Sequence, residues 1–528
     1  MKSLMKKVFA AAAAIATVFG LAATTVATAN AADNATLTVS TTDAKFAGKT
    51  VNAYKMFSAT VSGDGKAVSY TLTDEWKPFF KNSVGLTGVT DENVNDKAND
   101  YVSKLKDSAL TAFAAKASNW AQTKANNITA DATATVSADA SNGKYTATFT
   151  GLGYGYYVVA VPGATLANAK SQYATLVSVH STKVDADIKG DLPTVDKKVQ
   201  VDGTGKDATD AKIGDTLTFT LTSTIPDMSA YDTYTFNFKD TLSKGLTFGQ
   251  VKSVKVENVT LTENTDYTVT TPTASNNNTL TVAMKDFKTK QQANAGKKIT
   301  VTYTATLNEN AVVGGAGNVN SAKIQYSNNP STNGTGESEP SKVRVFTYGF
   351  TVDKYTGDQY TDAATRLAGA EFTLAHKDGS AISFVQVSAG SATANAVYRV
   401  AKAGETGTTT ITTPANGKVV FEGLKNGEYT LTETKAPAGY NKLASAIGVK
   451  VNGQNNGTDT TNATVTITYN NDNGNDYNQT ASNGVIPVQN KSGAILPGTG
   501  GMGTIAFTVI GVLVIALGVA WTLKRKNA

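Results

Sequence analysis

Short runs in which apolar and polar residues alternate fill most of the chain beyond residue 193, and six of them carry a charged or amide side chain on the apolar row. Successive side chains of a strand point to opposite faces, so every second residue shares an environment. In TVDKKVQV (194–201) this puts Lys197 in line with Val195, Val199 and Val201, while Lys198 points the other way. In YTFNFKDTL (234–242) Asp240 shares the face of Phe236, Phe238 and Leu242, and in NVNSAKIQY (318–326) Asn320 shares that of Ala322, Ile324 and Tyr326. Further along, Lys354 follows Phe350 and Val352, Glu433 follows Tyr429 and Leu431, and Asn490 follows Ile486 and Val488. An amine, a carboxyl and an amide buried separately would each cost several kcal/mol, so the pattern demands that they meet. Twice over, the chain supplies a lysine, an acid and an asparagine.

A strand register that turned these groups to solvent would remove the demand; if they are buried, two chemistries satisfy such a trio. One is a buried salt bridge with an amide hydrogen bond. The other is covalent: desolvation frees a neutral lysine amine, the same apolar surroundings keep the neighbouring acid protonated, and the acid polarises the carboxamide. The amine then attacks the amide carbon and ammonia leaves. Amides react poorly, but fixed alignment supplies an effective concentration of roughly 10⁵–10⁸ M. The product is a Lys–Asn isopeptide bond.

The remaining pattern divides the chain, and 528 residues suit about three domains of ~150 residues. Residues 32–192 mix strand-like runs, such as ATLTVS (35–40) and KYTATFTGLGYGYYVVAV (144–161), with a helical stretch from about Asp91 to Lys124. In that stretch Val94, Tyr101, Leu105, Phe113 and Trp120 recur at helical spacing and are read as core-facing. Residues 193–343 and 344–492 alternate almost throughout, and the polar segment 327–341 reads as a linker or long connection. The expected fold is mainly β: tandem Ig-like β-sandwiches, two of them, after an N-terminal α+β domain.

Both ends read as addresses. Residues 1–31 have a basic start, an apolar run from Val8 to Leu21 and a small-residue stretch ending Ala29-Asn30-Ala31, the form of a cleaved secretory signal peptide. Residues 493–528 contain Leu496-Pro497-Gly498-Thr499-Gly500, an apolar stretch from Thr504 to Leu523 long enough to span a bilayer, and a basic tail. The formal charge of +6 comes from three basic residues in each end segment; without them 42 basic residues face 42 acidic ones, which removes any electrostatic case for nucleic acid. No cysteine is present, so disulfides and thiolate metal sites are excluded. His180 and His376 are the two histidines, too few and too far apart for a His-rich metal site or a convincing Ser-His-Asp hydrolase. No cofactor is expected. DGTGKDAT (202–209) lacks P-loop spacing and reads as a turn; NNDNGNDYN (470–478) could ligate Ca²⁺ through oxygens but is read as a loop.

The pentapeptide, the apolar span and the basic tail, in that order, resemble the LPxTG-type sorting signal of Gram-positive surface proteins. The resemblance implies that a sortase cysteine attacks the Thr499 carbonyl, releases Gly500 onward and passes the acyl group to an amine. Membrane retention by the apolar segment would then be transient. The second block, with PTVDKKV, FKDTLSKGLTF and GNVNSAKIQYSNNP, resembles the isopeptide-forming domain of Gram-positive fimbrial backbone subunits. The third, with FTVDKYTG, YTLTETKAPAGY and VIPVQNKSGAILPGTGG, is similar to a collagen-adhesin B-type domain.

Together these resemblances point to a sortase-assembled major pilin of the cell surface. They imply bonded pairs Lys197–Asn320 and Lys354–Asn490, with Asp240 and Glu433 as the acids that promote each bond, in a protein that is otherwise no enzyme. The implied partners are a pilus-specific sortase, a housekeeping sortase, copies of the same chain in a covalent homopolymer, peptidoglycan, an accessory or tip pilin, and a host receptor or matrix ligand. Such pilins carry an acceptor lysine in a motif ending Tyr-Pro-Lys. That tripeptide is absent here, and Lys183 and Lys189 are the candidates, with Lys189, just before Pro193, favoured. Lys55 in the first domain has no matching acid and asparagine. The alternative reading is a monomeric sortase-anchored adhesin that binds a host or matrix ligand.

Overall fold

The computed structural model describes residues 34–63, 66–330, 332–358, 362–454, 463–471, 476–493, 510–519 and 521–522. The expected signal peptide and the pentapeptide 496–500 lie outside the described residues, as does part of the apolar stretch 504–523. Among the described residues no helix is long and apolar enough to cross a membrane, so the transmembrane expectation finds no support there.

The chain is mostly β, with two tandem β-sandwiches following an α+β domain. In that first domain a sheet ordered Tyr145–Leu152, Ala35–Thr41, Lys183–Asp187 lies beside a second built on Thr50–Val61 and Gly155–Thr165. The stretch expected as one helix is two, Val94–Ser103 and Asp107–Gln122. Lys106 is extended and Asp107 sits at φ 49°, a left-handed conformation that a short polar side chain tolerates, so the helix cannot run through. Val94 and Phe113 are buried as the spacing predicts, while Tyr101, Leu105 and Trp120 are half-buried against the same cluster. A short helix, Lys77–Asn82, brings Phe79 and Phe80 into that cluster, and Trp76, just before it, lies 5.3 Å from Trp120. It has no amphipathic repeat long enough to be read from sequence.

The middle sandwich packs a sheet containing Asp196–Val201, Thr216–Thr224, Lys298–Leu307 and Leu246–Val256 against one containing Ser341–Phe346, Asn318–Ser327, Phe236–Leu242 and Thr279–Met284. Its apolar core is continuous with that of the first domain. The segment 327–341 is not a free linker: Thr335–Glu337 folds back and pairs antiparallel with Asn318–Ser327, Gln325 opposite Glu337. Strand Ser341–Phe346 still belongs to the middle sandwich, and Tyr348–Tyr355 already belongs to the next, so one residue, Thr347, joins them. Thr347 is fully buried; its hydroxyl donates to the Leu424 carbonyl (3.0 Å) and its carbonyl accepts from Gly314 N–H (2.9 Å).

The third sandwich has one sheet with Lys418–Leu424, Tyr348–Tyr355 and Val485–Gln489 in its centre and edge, and a second with Glu371–His376, Gly427–Lys435 and Ile447–Gln454. Its core takes in Ile213, Ala208 and Phe346 from the preceding sandwich.

Candidate functional site

Alternation puts Lys197 on the inward row of Asp196–Val201, and the side chain is completely buried. Asp240 and Asn320 come from the opposite sheet, on adjacent antiparallel strands in which Asp240 faces Ala322 and Leu242 faces Asn320. Both are also fully buried, so the two lie on one face a single register step apart, across from the lysine. Lys197 Nζ donates to Asp240 Oδ2. Lys198, on the other face, pairs instead with Asp207 (2.5 Å) at the surface. Asn318, two residues before Asn320, is buried on the same row, but its amide is tied to the backbone of Val312 and Val345 and does not join the cluster.

A residue that the pattern of lysines, acids and asparagines does not single out completes the cluster. The Tyr303 hydroxyl donates to Asp240 Oδ2 (2.6 Å) and accepts from Lys197 Nζ (2.9 Å) and Asn320 Nδ2 (2.6 Å). Its ring stacks on Phe219 with centroids 5.3 Å apart, and Lys197 Nζ lies 5.2 Å from the Phe219 centroid. The available signal was Tyr303's place on the inward row of KKITVTYTATL, where Ile299, Val301 and Ala305 are buried with it.

The third sandwich builds a second cluster with a different layout. Lys354 and Asn490 belong to the same sheet: Tyr348–Tyr355 pairs in parallel with Val485–Gln489, Lys354 opposite Val488, and Asn490 N–H donates to the Tyr355 carbonyl (3.0 Å). Glu433 reaches over from the opposite sheet, its carboxylate 3.6 Å from Lys354 Nζ. Asn490 Nδ2 donates to Glu433 Oε2 (3.0 Å) and to the Asn441 carbonyl (2.9 Å), and Leu443 N–H donates to Glu433 Oε2 (2.7 Å). All three side chains are buried, and further along the same sheet Phe350 stacks on Phe421. Asp353, which points to the opposite face from Lys354, is buried as well, held by Arg366 Nε (2.8 Å).

The electrostatics of the two clusters agree. Burial is the largest influence on each lysine and brings both Lys197 and Lys354 down to about 8, against a smaller upward pull from the adjacent acid. A measurable fraction of each amine is therefore neutral near neutrality. In each cluster one acid oxygen and the asparagine amide oxygen are buried without a hydrogen-bond partner: Asp240 Oδ1 with Asn320 Oδ1, and Glu433 Oε1 with Asn490 Oδ1. An orphaned buried acceptor costs roughly 1–3 kcal/mol.

Elsewhere, Lys183 is exposed on Lys183–Asp187, at the edge of its sheet, with Thr36 as its parallel partner. Exposed Lys189 lies on the chain leading to the middle sandwich; its N–H donates to the Tyr173 hydroxyl (2.8 Å). It lines a groove of about 750 Å³ between helix Asp107–Gln122, the turn at Leu166–Gln172 and Asp227–Ser229 of the middle sandwich. Gly190 lets the chain pass Tyr173, where a Cβ would come within 2.5 Å of the ring. The histidines are structural: His180 bonds to Ser178 (3.0 Å), and the His376 ring lies against Tyr429. Lys55 Nζ lies 5.7 Å from the centroid of the Tyr157 ring. Among the described residues no group of histidines and acids could hold a metal ion.

Comparison with known proteins adds a family context. Residues 213–330 match the family model of the Gram-positive pilin backbone subunit 2, Cna-B-like domain, and residues 358–466 match SpaA, a prealbumin-like fold domain. The chain is 26% identical over 279 residues to the trypsin-resistant surface T6 protein of Streptococcus pyogenes serotype M6; the match covers 48% of this chain and 44% of that relative's length. Among solved structures, the T6 backbone pilin of serotype M6 Streptococcus pyogenes is 18% identical, covering 88% of this chain and 99% of that one with a TM-score of 0.46. The full-length major pilin SpaD of Corynebacterium diphtheriae is 20% identical, covering 88% and 98%, with a TM-score of 0.40.

Proposed function

We propose that this chain, whose residues 213–330 match the Gram-positive pilin backbone subunit 2, Cna-B-like domain and whose residues 358–466 match the SpaA prealbumin-like fold domain, is the shaft subunit of a covalent pilus on a Gram-positive cell surface. The observation that carries the reading is the presence in each sandwich of a fully buried lysine in contact with an acid, beside an asparagine whose amide oxygen has no partner. Each cluster forms one isopeptide bond, Lys197–Asn320 and Lys354–Asn490, promoted by Asp240 and Glu433. Because each reaction happens once per molecule, the role is structural and not that of a turnover enzyme.

The bonds replace disulfides in a chain without cysteine. Tension entering at residue 193 would pass from Lys197 to Asn320, and beyond Thr347 from Lys354 to Asn490. The strands between those positions would carry little of it. A pilus-specific sortase joins Thr499 of one copy to a lysine of the next, head to tail, and a housekeeping sortase fixes the base to peptidoglycan. Lys189 is the better acceptor: it lines a groove large enough to receive an extended peptide, whereas Lys183 sits within a paired strand.

The test is electrophoresis of wall extracts in boiling detergent. A high-molecular-weight ladder that persists in Lys183→Ala and vanishes in Lys189→Ala supports the reading. A single wall-linked band in the unaltered strain would support a monomeric anchored adhesin instead.

A further inference from the structure

The two clusters differ in how the acid reaches the amide. In the third sandwich Glu433 Oε2 accepts directly from Asn490 Nδ2 at 3.0 Å. In the middle sandwich the acid is shorter by one methylene, and among the described hydrogen bonds Asp240 has none to Asn320. The gap is filled by the Tyr303 hydroxyl, 2.6 Å from Asp240 Oδ2, 2.6 Å from Asn320 Nδ2 and 2.9 Å from Lys197 Nζ. No tyrosine hydroxyl bonds to the Glu433 cluster among the described residues. A phenol that touches both nitrogens of the reaction and the acid holds a position from which a proton can pass from acid to leaving group.

We propose that Tyr303 is a catalytic residue of the Lys197–Asn320 reaction, relaying a proton from Asp240 to the departing asparagine nitrogen. This rests on the isopeptide reading above. Lys197 gives a proton to Asp240 and attacks Asn320 Cγ as the neutral amine. Nδ2 then takes the phenolic proton while the phenol takes the proton held by Asp240. The Cγ–Nδ2 bond breaks, the carbonyl re-forms and ammonia departs. The new amide nitrogen returns its extra proton to Asp240. Tyrosine ends unchanged, and Asp240 ends neutral, holding the proton that the lysine brought.

The surroundings fit a donor. Tyr303 is fully buried, and burial together with Asp240 holds its phenol well above the ordinary value, so it enters the reaction protonated. Stacking on Phe219 and contact with Phe248 fix the ring, and so the aim of its hydroxyl.

Tyr303→Phe keeps the ring and removes only the relay. Full-length chain would be synthesised in a pulse of isotopically labelled amino acids, chased, quenched in urea and digested. The cross-linked peptides containing Lys197–Asn320 and Lys354–Asn490 are then counted by mass spectrometry over time. Tyr303→Phe should slow the first bond by about 10²-fold, the range of a lost general acid, and leave the second unchanged. Equal rates for the first bond in wild type and variant would overturn the relay, as would equal slowing of both bonds, which marks a folding defect. Absence of the first bond in wild type would instead overturn the isopeptide reading itself.

Discussion

Lys354 and Asn490 stand at the ends of two parallel neighbours, the first and last strands of the third sandwich, and share one sheet. Lys197 and Asn320 do the opposite: they face each other from different sheets of the middle sandwich. A bond in the third sandwich thus joins its chain entry to its chain exit, while one in the middle sandwich clamps its two layers together.

Removing either amide should prevent one loss of ammonia and lower stability. Asn320→Ala and Asn490→Ala should each weigh only one ammonia less than calculated from sequence and the double variant none less, where the unaltered chain weighs two less. Cross-linking a loop of ~100 residues is worth roughly 5 kcal/mol by chain entropy. Asn490→Ala should therefore lower the melting temperature of its sandwich by about 10–20 °C in calorimetry. A single variant that still weighs two ammonias less than its own calculated mass would refute the assignment.

The acids should be needed for bonding and also for the unbonded fold. Asp240→Ala and Glu433→Ala each leave a buried lysine without its partner, at a cost of about 3–5 kcal/mol. Each should restore one ammonia to the mass and leave the other cross-link intact in a peptide digest.

A pH dependence follows for the unbonded middle sandwich. In Asn320→Ala, Lys197 keeps a folded pKa of about 8 against 10.5 when unfolded. Between these values the unfolded chain binds more protons, so stability rises with pH and is flat below the window. Summed over the window, the rise is on the order of 3 kcal/mol. Urea titrations from pH 7.5 to 10.5 should show it in Asn320→Ala and not in Lys197→Met/Asn320→Ala, whose difference isolates this amine. In the bonded protein Lys197 is an amide, and the rise is absent.

The joint between the sandwiches can be loosened by one methyl group. Gly423 has φ +83°, and a Cβ there would lie 2.6 Å from the Ile213 side chain. Its carbonyl accepts from Ile213 N–H (3.0 Å), and nearby Asn426 N–H donates to Asp210 (2.7 Å). Gly423→Ala should cost about 1–3 kcal/mol and expose the Thr347 region to limited proteolysis, with both isopeptide bonds still formed.

Much of this was legible because a strand's period is short and strict. Once Val195 and Val199 faced inward, Lys197 had to, and the same logic placed Asp240, Asn320, Lys354, Glu433 and Asn490 in the two cores. What alternation cannot give is partner identity across a sandwich. On its own strand Tyr303 is one more inward aromatic, and Asn318 shares the row of Asn320; only the opposite sheet and the neighbouring backbone tell them apart. Asp353 broke the rule because Arg366, from a neighbouring loop, covers its face. The groove beside Lys189 was invisible for the same reason: its walls come from three segments distant in sequence.

Thr347 is the joint between the two sandwiches. A connection of one residue, buried and hydrogen-bonded on both sides, has no slack. The twist between the two sandwiches is therefore set when the chain folds, so a copy presented at the wrong rotation could not be accommodated by swivelling here.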